Sequence, residues 1–219
     1  MCGRFNLRVT PAQLQEFFDL FREPEVTPRY NIAPTQTTLV CRLDDEGERE
    51  LVSLRWGLIP SWSKDIKIGA TLINARSETV REKPSFRSAF RKRRCLVPAS
   101  GFYEWLREGK HKQPFHIHHT DDSPFAMAGL WESWNQGEQP IESFSIITTS
   151  ANRLMRPLHD RMPVILEPEL FNEWLAPNTE PEFLKSIVQP YEWNGFEMAP
   201  VSAVVNNVRN EMPECVQPA

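Results

Sequence analysis

Gly101-Phe102-Tyr103-Glu104-Trp105-Leu106 alternates aromatic with other side chains, the period-2 pattern of a β-strand. Similar signals lie on both sides of it. Residues 114–119, 125–134 and 143–149 follow as strand candidates, and Cys95-Leu96-Val97-Pro98 precedes it. Further upstream, 37–43 and 50–55 read as two strands joined by the turn-forming Asp44-Asp45-Glu46-Gly47. Helical signals are fewer and shorter. Thr10-Pro11-Ala12-Gln13 offers an N-cap, a proline at the first helical position and a glutamine that closes a capping box. Leu14, Phe17, Phe18 and Phe21 continue at helical spacing, so an amphipathic helix is expected over 10–22. Residues 85–94, 169–175 and 182–188 are the other short helices, while 29–34 reads as a loop and 157–164 as a proline-bounded loop entering a strand. Strands outnumber helices and do not alternate with them. That argues against a doubly wound sheet and for an α+β fold: one domain over 1–219, with a mainly antiparallel, barrel-like sheet flanked by short helices.

The bulk numbers narrow the class. The 219 residues are 40% hydrophobic and 25% charged, enough for one sizeable core. A net charge of −4 excludes a protein that coats duplex DNA non-specifically, though not a local basic groove. Nineteen prolines against nine glycines suit rigid turns, and seven tryptophans exceed what the core needs, so some are candidate surface platforms. The four cysteines, Cys2, Cys41, Cys95 and Cys215, form no C-x-x-C pair, which removes zinc-ribbon and thioredoxin-like readings. No signal peptide or apolar run of ~20 residues is evident, so a cytoplasmic, non-membrane protein with reduced thiols is expected. P-loop, Gly-x-Gly-x-x-Gly, Gly-x-Ser-x-Gly and His-Glu-x-x-His motifs are absent, leaving no support for a nucleotide cofactor, a serine hydrolase or a zincin.

Cys2 is the cysteine that becomes N-terminal if Met1 is removed. It then carries an α-amine, titrating near ~7.7–8.0, beside a thiol near ~8.5. Such an aminothiol condenses with an aldehyde to a Schiff base and closes to a thiazolidine. Gly3 permits a tight approach, and Arg4 offers a forked cation for phosphate or carboxylate. The bland alternative is a frayed terminus. Asn74 and Arg76 would share one face of a strand, either as amine-orienting and phosphate-clamping groups or as a polar strand end paired with Glu78. Glu104, between Tyr103 and Trp105, is a candidate proton shuttle or a solvent-facing glutamate. His159 is a candidate proton carrier. His111, His116, His118 and His119 cluster near one hairpin without accompanying ligands, so no metal is expected. The basic run Arg91-Lys92-Arg93-Arg94 is either a solvated helix end or, with Trp56, Trp62 and Trp105, one side of a single-strand groove.

Six motifs in order, Met1-Cys2-Gly3-Arg4, Tyr30-Asn31-Ile32-Ala33-Pro34, Trp56-Gly57-Leu58-Ile59-Pro60-Ser61-Trp62, Asn74-Ala75-Arg76-Ser77-Glu78-Thr79, Gly101-Phe102-Tyr103-Glu104-Trp105 and His159-Asp160-Arg161-Met162-Pro163, resemble the SOS response-associated peptidase (SRAP) family. The resemblance covers nearly the whole chain. It implies a compact α+β fold with a positively charged channel, and a protein that crosslinks itself to abasic sites in single-stranded DNA. By motif match, Cys2 carries the crosslink, and Asn74, Glu104 and His159 fall on active-site positions. Arg4, Arg76 and Arg161 fall on DNA-backbone contacts, Pro34 and Trp105 beside the bases, and Thr148 on a site-lining position. Ser63 follows Trp62 where some relatives carry a second aromatic, which bears on a stacking wedge and not on the chemistry. The expectation is a monomer without cofactor, with lyase activity through reversal and loss of Met1 as its peptide chemistry. Two alternatives use fewer of these residues: an N-terminal-nucleophile cysteine peptidase and a non-covalent single-strand binder.

Overall fold

The computed structural model describes residues 2–109 and 111–219. The chain runs β1 (Phe5–Leu7), α1 (Pro11–Phe18), β2 (Arg29–Ile32), β3 (Thr37–Leu43), β4 (Arg49–Trp56), β5 (Asn74–Arg76), α2 (Arg87–Lys92) and β6 (Arg94–Ala99). It continues through β7 (Gly101–Glu108), β8 (His111–His119), β9 (Phe125–Trp134), β10 (Ile141–Ser150), β11 (Arg161–Pro163), β12 (Ile165–Leu166), α3 (Phe171–Leu175), α4 (Pro181–Ile187) and β13 (Phe196–Pro200).

Strands β4, β3, β6, β9 and β10 pair in a ring, because β10 joins both β9 and β4. Closure leaves the ring no free edge between these strands. All its seams are antiparallel except β10–β4, where Ser143 pairs with Arg55 and Phe144 with Trp56. β5 adds to β10 in parallel, and β11 pairs antiparallel with its far end. A second, antiparallel sheet has the order β13-β8-β7-β1-β2. Trp56 is fully buried where the layers meet. Its ring lies 5.1 Å edge-on from Phe5 and 6.3 Å, stacked, from Phe144, and its indole N–H bonds the Ile73 carbonyl at 2.9 Å. A buried tryptophan with its N–H satisfied contributes on the order of 3–5 kcal/mol against truncation to alanine. β7 packs close against β8 at Gly101, where any Cβ would sit 2.0 Å from His116 Nε2.

The structure departs from the sequence reading in several places. Helix α1 stops at Phe18: Asp19 takes the left-handed conformation, φ 50° and ψ 54°, and caps the preceding carbonyls. Phe21 is therefore 93% exposed and not on the core face. The segment expected as a loop after Pro28 begins with β2, which pairs with β1. Trp56 is core, not platform. The run 91–94 does not line the cleft of Glu104 and is not uniformly solvated: Arg91 and Lys92 are exposed, but Arg94 is buried and its guanidinium donates to the carbonyls of Phe90, Arg91, Trp174 and Ala176. Arg93 meanwhile pairs with Glu132 at 2.6 Å.

Candidate active site

β1 lies between β2 and β7, and that insertion fixes the start of the chain. The Arg4 carbonyl accepts from the Tyr103 N–H at 2.9 Å, and the Asn6 carbonyl from Ser100 at 2.9 Å. Cys2 is fully buried, so the frayed-terminus reading fails. Its own carbonyl accepts a 2.8 Å hydrogen bond from Asn74 Nδ2, while Asn74 Oδ1 is buried with no partner among the described residues. An orphaned buried acceptor is uncommon and marks a place where a donor belongs. Burial, and then the nearby Glu104 carboxylate, push the Cys2 thiol up to about 12.

Glu104 is buried on β7 and faces a cleft of about 930 Å³. Arg4, Trp105, Pro157, Leu158 and His159 line the same cleft. His159 Nδ1 lies 2.9 Å from the Arg161 backbone N–H and 2.6 Å from Asp160 Oδ1. One nitrogen cannot serve both at once. Nδ1 with a free lone pair accepts from the Arg161 N–H, and Nδ1 carrying a hydrogen donates to Asp160.

Arg4 NH1 donates to Asn31 Oδ1 at 2.7 Å and to the Val205 carbonyl at 2.8 Å, and its guanidinium carbon lies 5.6 Å from the Trp105 ring centre. Partial burial lowers the Arg4 pKa from its ordinary value. The Asn31 amide donates in turn to the carbonyls of Val205, Asn207 and Asn210 at 3.3, 3.0 and 2.8 Å. Glu211 accepts from the Asn31 N–H at 2.9 Å, and from the Tyr30 N–H, while pairing with Arg29 at 2.7 Å. Asn206 accepts the Trp105 indole N–H at 2.7 Å. The C-terminal segment thus forms one wall of the cleft, and Asn31, Asn206 and Glu211 build it. Sequence reasoning placed Asn31 in a motif without a role of its own and did not single out Asn206, since their respective partners Val205 and Trp105 lie over a hundred residues away.

The remaining expected residues gather elsewhere. Asn74 and Arg76 do share a face of β5, with Ala75 buried between them. Thr148 pairs with Arg76 across β10–β5 and with Pro163 across β10–β11. Arg161 holds Glu78 in a two-pronged ion pair at 2.5 and 2.9 Å and donates to the Thr148 carbonyl at 2.6 Å. That guanidinium keeps the Glu78 carboxyl below its ordinary pKa. Arg76 is exposed. Pro34 is half-buried in the turn after β2 and does not line the cleft, and Ser63 is buried beneath the exposed Trp62.

Among the described residues no group of three His, Cys, Asp or Glu is arranged to hold a metal. His116 and His118 stack at 4.6 Å, but His116 is buried, bonded to Asn6 at 2.7 Å, and held neutral with its pKa pushed down to about 2 by burial. The His111 side chain lies outside the described residues. Among those residues no helix is long and apolar enough to cross a membrane.

On this α+β ring-and-sheet fold one cleft gathers a buried carboxylate, an imidazole, cations and an indole, and Cys2 is buried near Glu104. The family model described as "SOS response associated peptidase (SRAP)" matches residues 1–208, and the chain belongs to that family. It is 46% identical to the abasic site processing protein YoqW of Bacillus subtilis (strain 168), over 99% of each chain. It is 34% identical to the abasic site processing protein YedK of Escherichia coli (strain K12), over the full length of both. A crystal structure of a protein from Bacteroides thetaiotaomicron matches all of both chains with a TM-score of 0.89 at 27% identity.

Proposed function

We propose that this protein processes abasic sites, joining Cys2 covalently to the aldehyde of the ring-opened sugar in single-stranded DNA. The observation that carries the reading is the arrangement around Cys2. Glu104 both lines the cleft and acts on the thiol, and Asn74 holds the Cys2 carbonyl with an acceptor to spare. Loss of Met1, which lies outside the described residues, frees the α-amine. The amine nitrogen attacks the aldehyde carbon, with Asn74 Oδ1 orienting an amine hydrogen, and water leaves as the Schiff base forms. The thiol sulfur then adds to the imine carbon, its proton passes to the imine nitrogen, and the thiazolidine closes. One water is lost overall. With the thiol near 12 the thiolate is scarce at neutral pH, so sulfur attack needs a base, and Glu104 is that base. His159 serves the sugar oxygen and the departing water. Arg4, Arg76 and Arg161 hold phosphates, Trp105 and Pro34 lie beside bases, and Thr148 lines the strand. The product shields the strand from cleavage; the same groups run the reverse, lyase-like reaction. The protein acts in the cytoplasm as a monomer formed by a single domain over 1–219, without a cofactor. An N-terminal-nucleophile peptidase would use Cys2 with His159 as base, but it gives the arginines and aromatics of the site no task.

The test is adduct yield on denaturing gels with abasic single-stranded oligonucleotide. Wild type should give a heat-stable adduct. Cys2→Ala should give one only when trapped with borohydride, and protein retaining Met1 should give neither. Replacing Cys41, Cys95 and Cys215 with serine should leave the stable adduct in whatever fraction folds. A stable, untrapped adduct from Cys2→Ala rules out the aminothiol.

A further inference from the structure

The cleft has a feature that the chemistry above does not use. Arg107 on β7 and Lys112 on β8 lie directly across from each other in the strand register, and both line the cleft mouth. Both are exposed, and neither has a hydrogen-bond or ion-pair partner among the described residues. Like charges directly opposite on antiparallel strands repel. The fold gains nothing from this pair, and its two charges are left to solvent or to an anion from outside the chain. Two other cations, Arg4 and Arg161, contrast with it. Arg4 spends one arm of its guanidinium on Asn31 and Val205, and Arg161 spends both arms on Glu78 and Thr148.

The strand pattern also fixes what stands beside the pair. Trp105 and Arg107 are two apart on β7 and so project from the same face, about 7 Å from each other along the strand. A half-buried indole next to two uncommitted cations matches the combination that holds single strands, a ring for a base and positive charge for the backbone. We propose that Arg107 and Lys112 form a phosphate seat at the cleft mouth, which grips a phosphodiester of the strand beside the base that lies on Trp105. This deepens the abasic-site reading and rests on it for the identity of the strand, while the seat itself takes any single-stranded phosphodiester chain.

The experiment measures binding of an unmodified single-stranded oligonucleotide across a salt series, and stable adduct formation with its abasic counterpart. It compares wild type, R107Q/K112Q, the charge-preserving R107K/K112R and the control pair R91Q/K92Q on α2. R107Q/K112Q should lower the slope of log affinity against log salt by about 1.4, since each single-strand phosphate contact contributes ~0.7. At ~0.1 M salt it should bind roughly 10-fold or more weakly. R107K/K112R and R91Q/K92Q should keep the wild-type slope. Without DNA, R107Q/K112Q should melt about 1–3 °C higher than wild type, because the repulsion is gone. An unchanged slope in R107Q/K112Q, or an equal fall in the control pair, overturns the seat. A fall in slope with no adduct from wild type keeps the seat and overturns the abasic-site reading. An adduct with an unchanged slope does the reverse.

Discussion

Asn74 Nδ2 sits 2.8 Å from the Cys2 carbonyl oxygen and ties the strand β5 to the second residue of the chain. The contact fixes where an amine at residue 2 would stand, and Asn74 Oδ1, without a partner among the described residues, lies on the same side chain. Asn74→Ala removes both. The expected result is a crosslinking rate lower by about 10-fold, the scale of one lost neutral hydrogen bond, with little change in single-strand affinity. Single-turnover adduct formation against equilibrium binding separates the two; an equal loss in both would make Asn74 a binding residue only.

Burial, and after it Glu104, raises the Cys2 thiol pKa, and Glu104 is proposed to take the thiol proton. Glu104→Gln should therefore move two observables in opposite senses. The thiol should titrate at lower pH, because a negative neighbour is gone, and thiazolidine formation should slow by about 10²-fold. A thiolate absorbance titration on a Cys41, Cys95, Cys215 triple-serine background reads the first, gel kinetics the second. A faster reaction in Glu104→Gln would mean that thiolate supply, and not a base, limits ring closure.

Glu78 competes with any phosphate for Arg161, since both guanidinium arms are turned to its carboxylate. Glu78→Gln should release them. Single-strand affinity should rise, and its salt slope should steepen by about 0.7, one added phosphate contact. Weaker binding in this variant would show that Glu78 orients Arg161 for the strand.

His116 sets the acid limit of stability. Its folded pKa is pushed down to about 2, against ~6.5 unfolded. Between these values the unfolded chain binds a proton that the folded chain refuses, so stability is full above pH ~6.5 and falls as the pH drops toward 2. Urea midpoints from pH 7 to 4 should fall for wild type and less steeply for His116→Gln. Gly101→Ala presses on the same ring and should cost about 1–3 kcal/mol or more at every pH.

Strands such as Thr37–Leu43 and Phe125–Trp134 were legible because regular strand-type residues ran for seven or more positions between turn signals. Phe5–Leu7 was not, because all three residues are buried and so short a run carries no period. Phe196–Pro200, with neither face fully buried, gave no pattern either. Cys2, Glu104 and His159 could be singled out by residue type and setting. Asn31 could not: its value lies in three carbonyls more than 170 residues away. Arg94 sits in a run of cations and looked solvated, and its burial depends on carbonyls near residue 175 that no local pattern announces.

The bond from Arg4 to the Val205 carbonyl joins residues 201 positions apart. At ~5–20 residues per second, a ribosome needs roughly 10–40 s to make the second after the first. Throughout that interval the nascent chain carries its N-terminal segment without the wall that holds Arg4 and Trp105. The cleft around Arg4 is thus assembled only after the segment around Val205 has been made, so its two walls cannot meet during synthesis of the first two hundred residues.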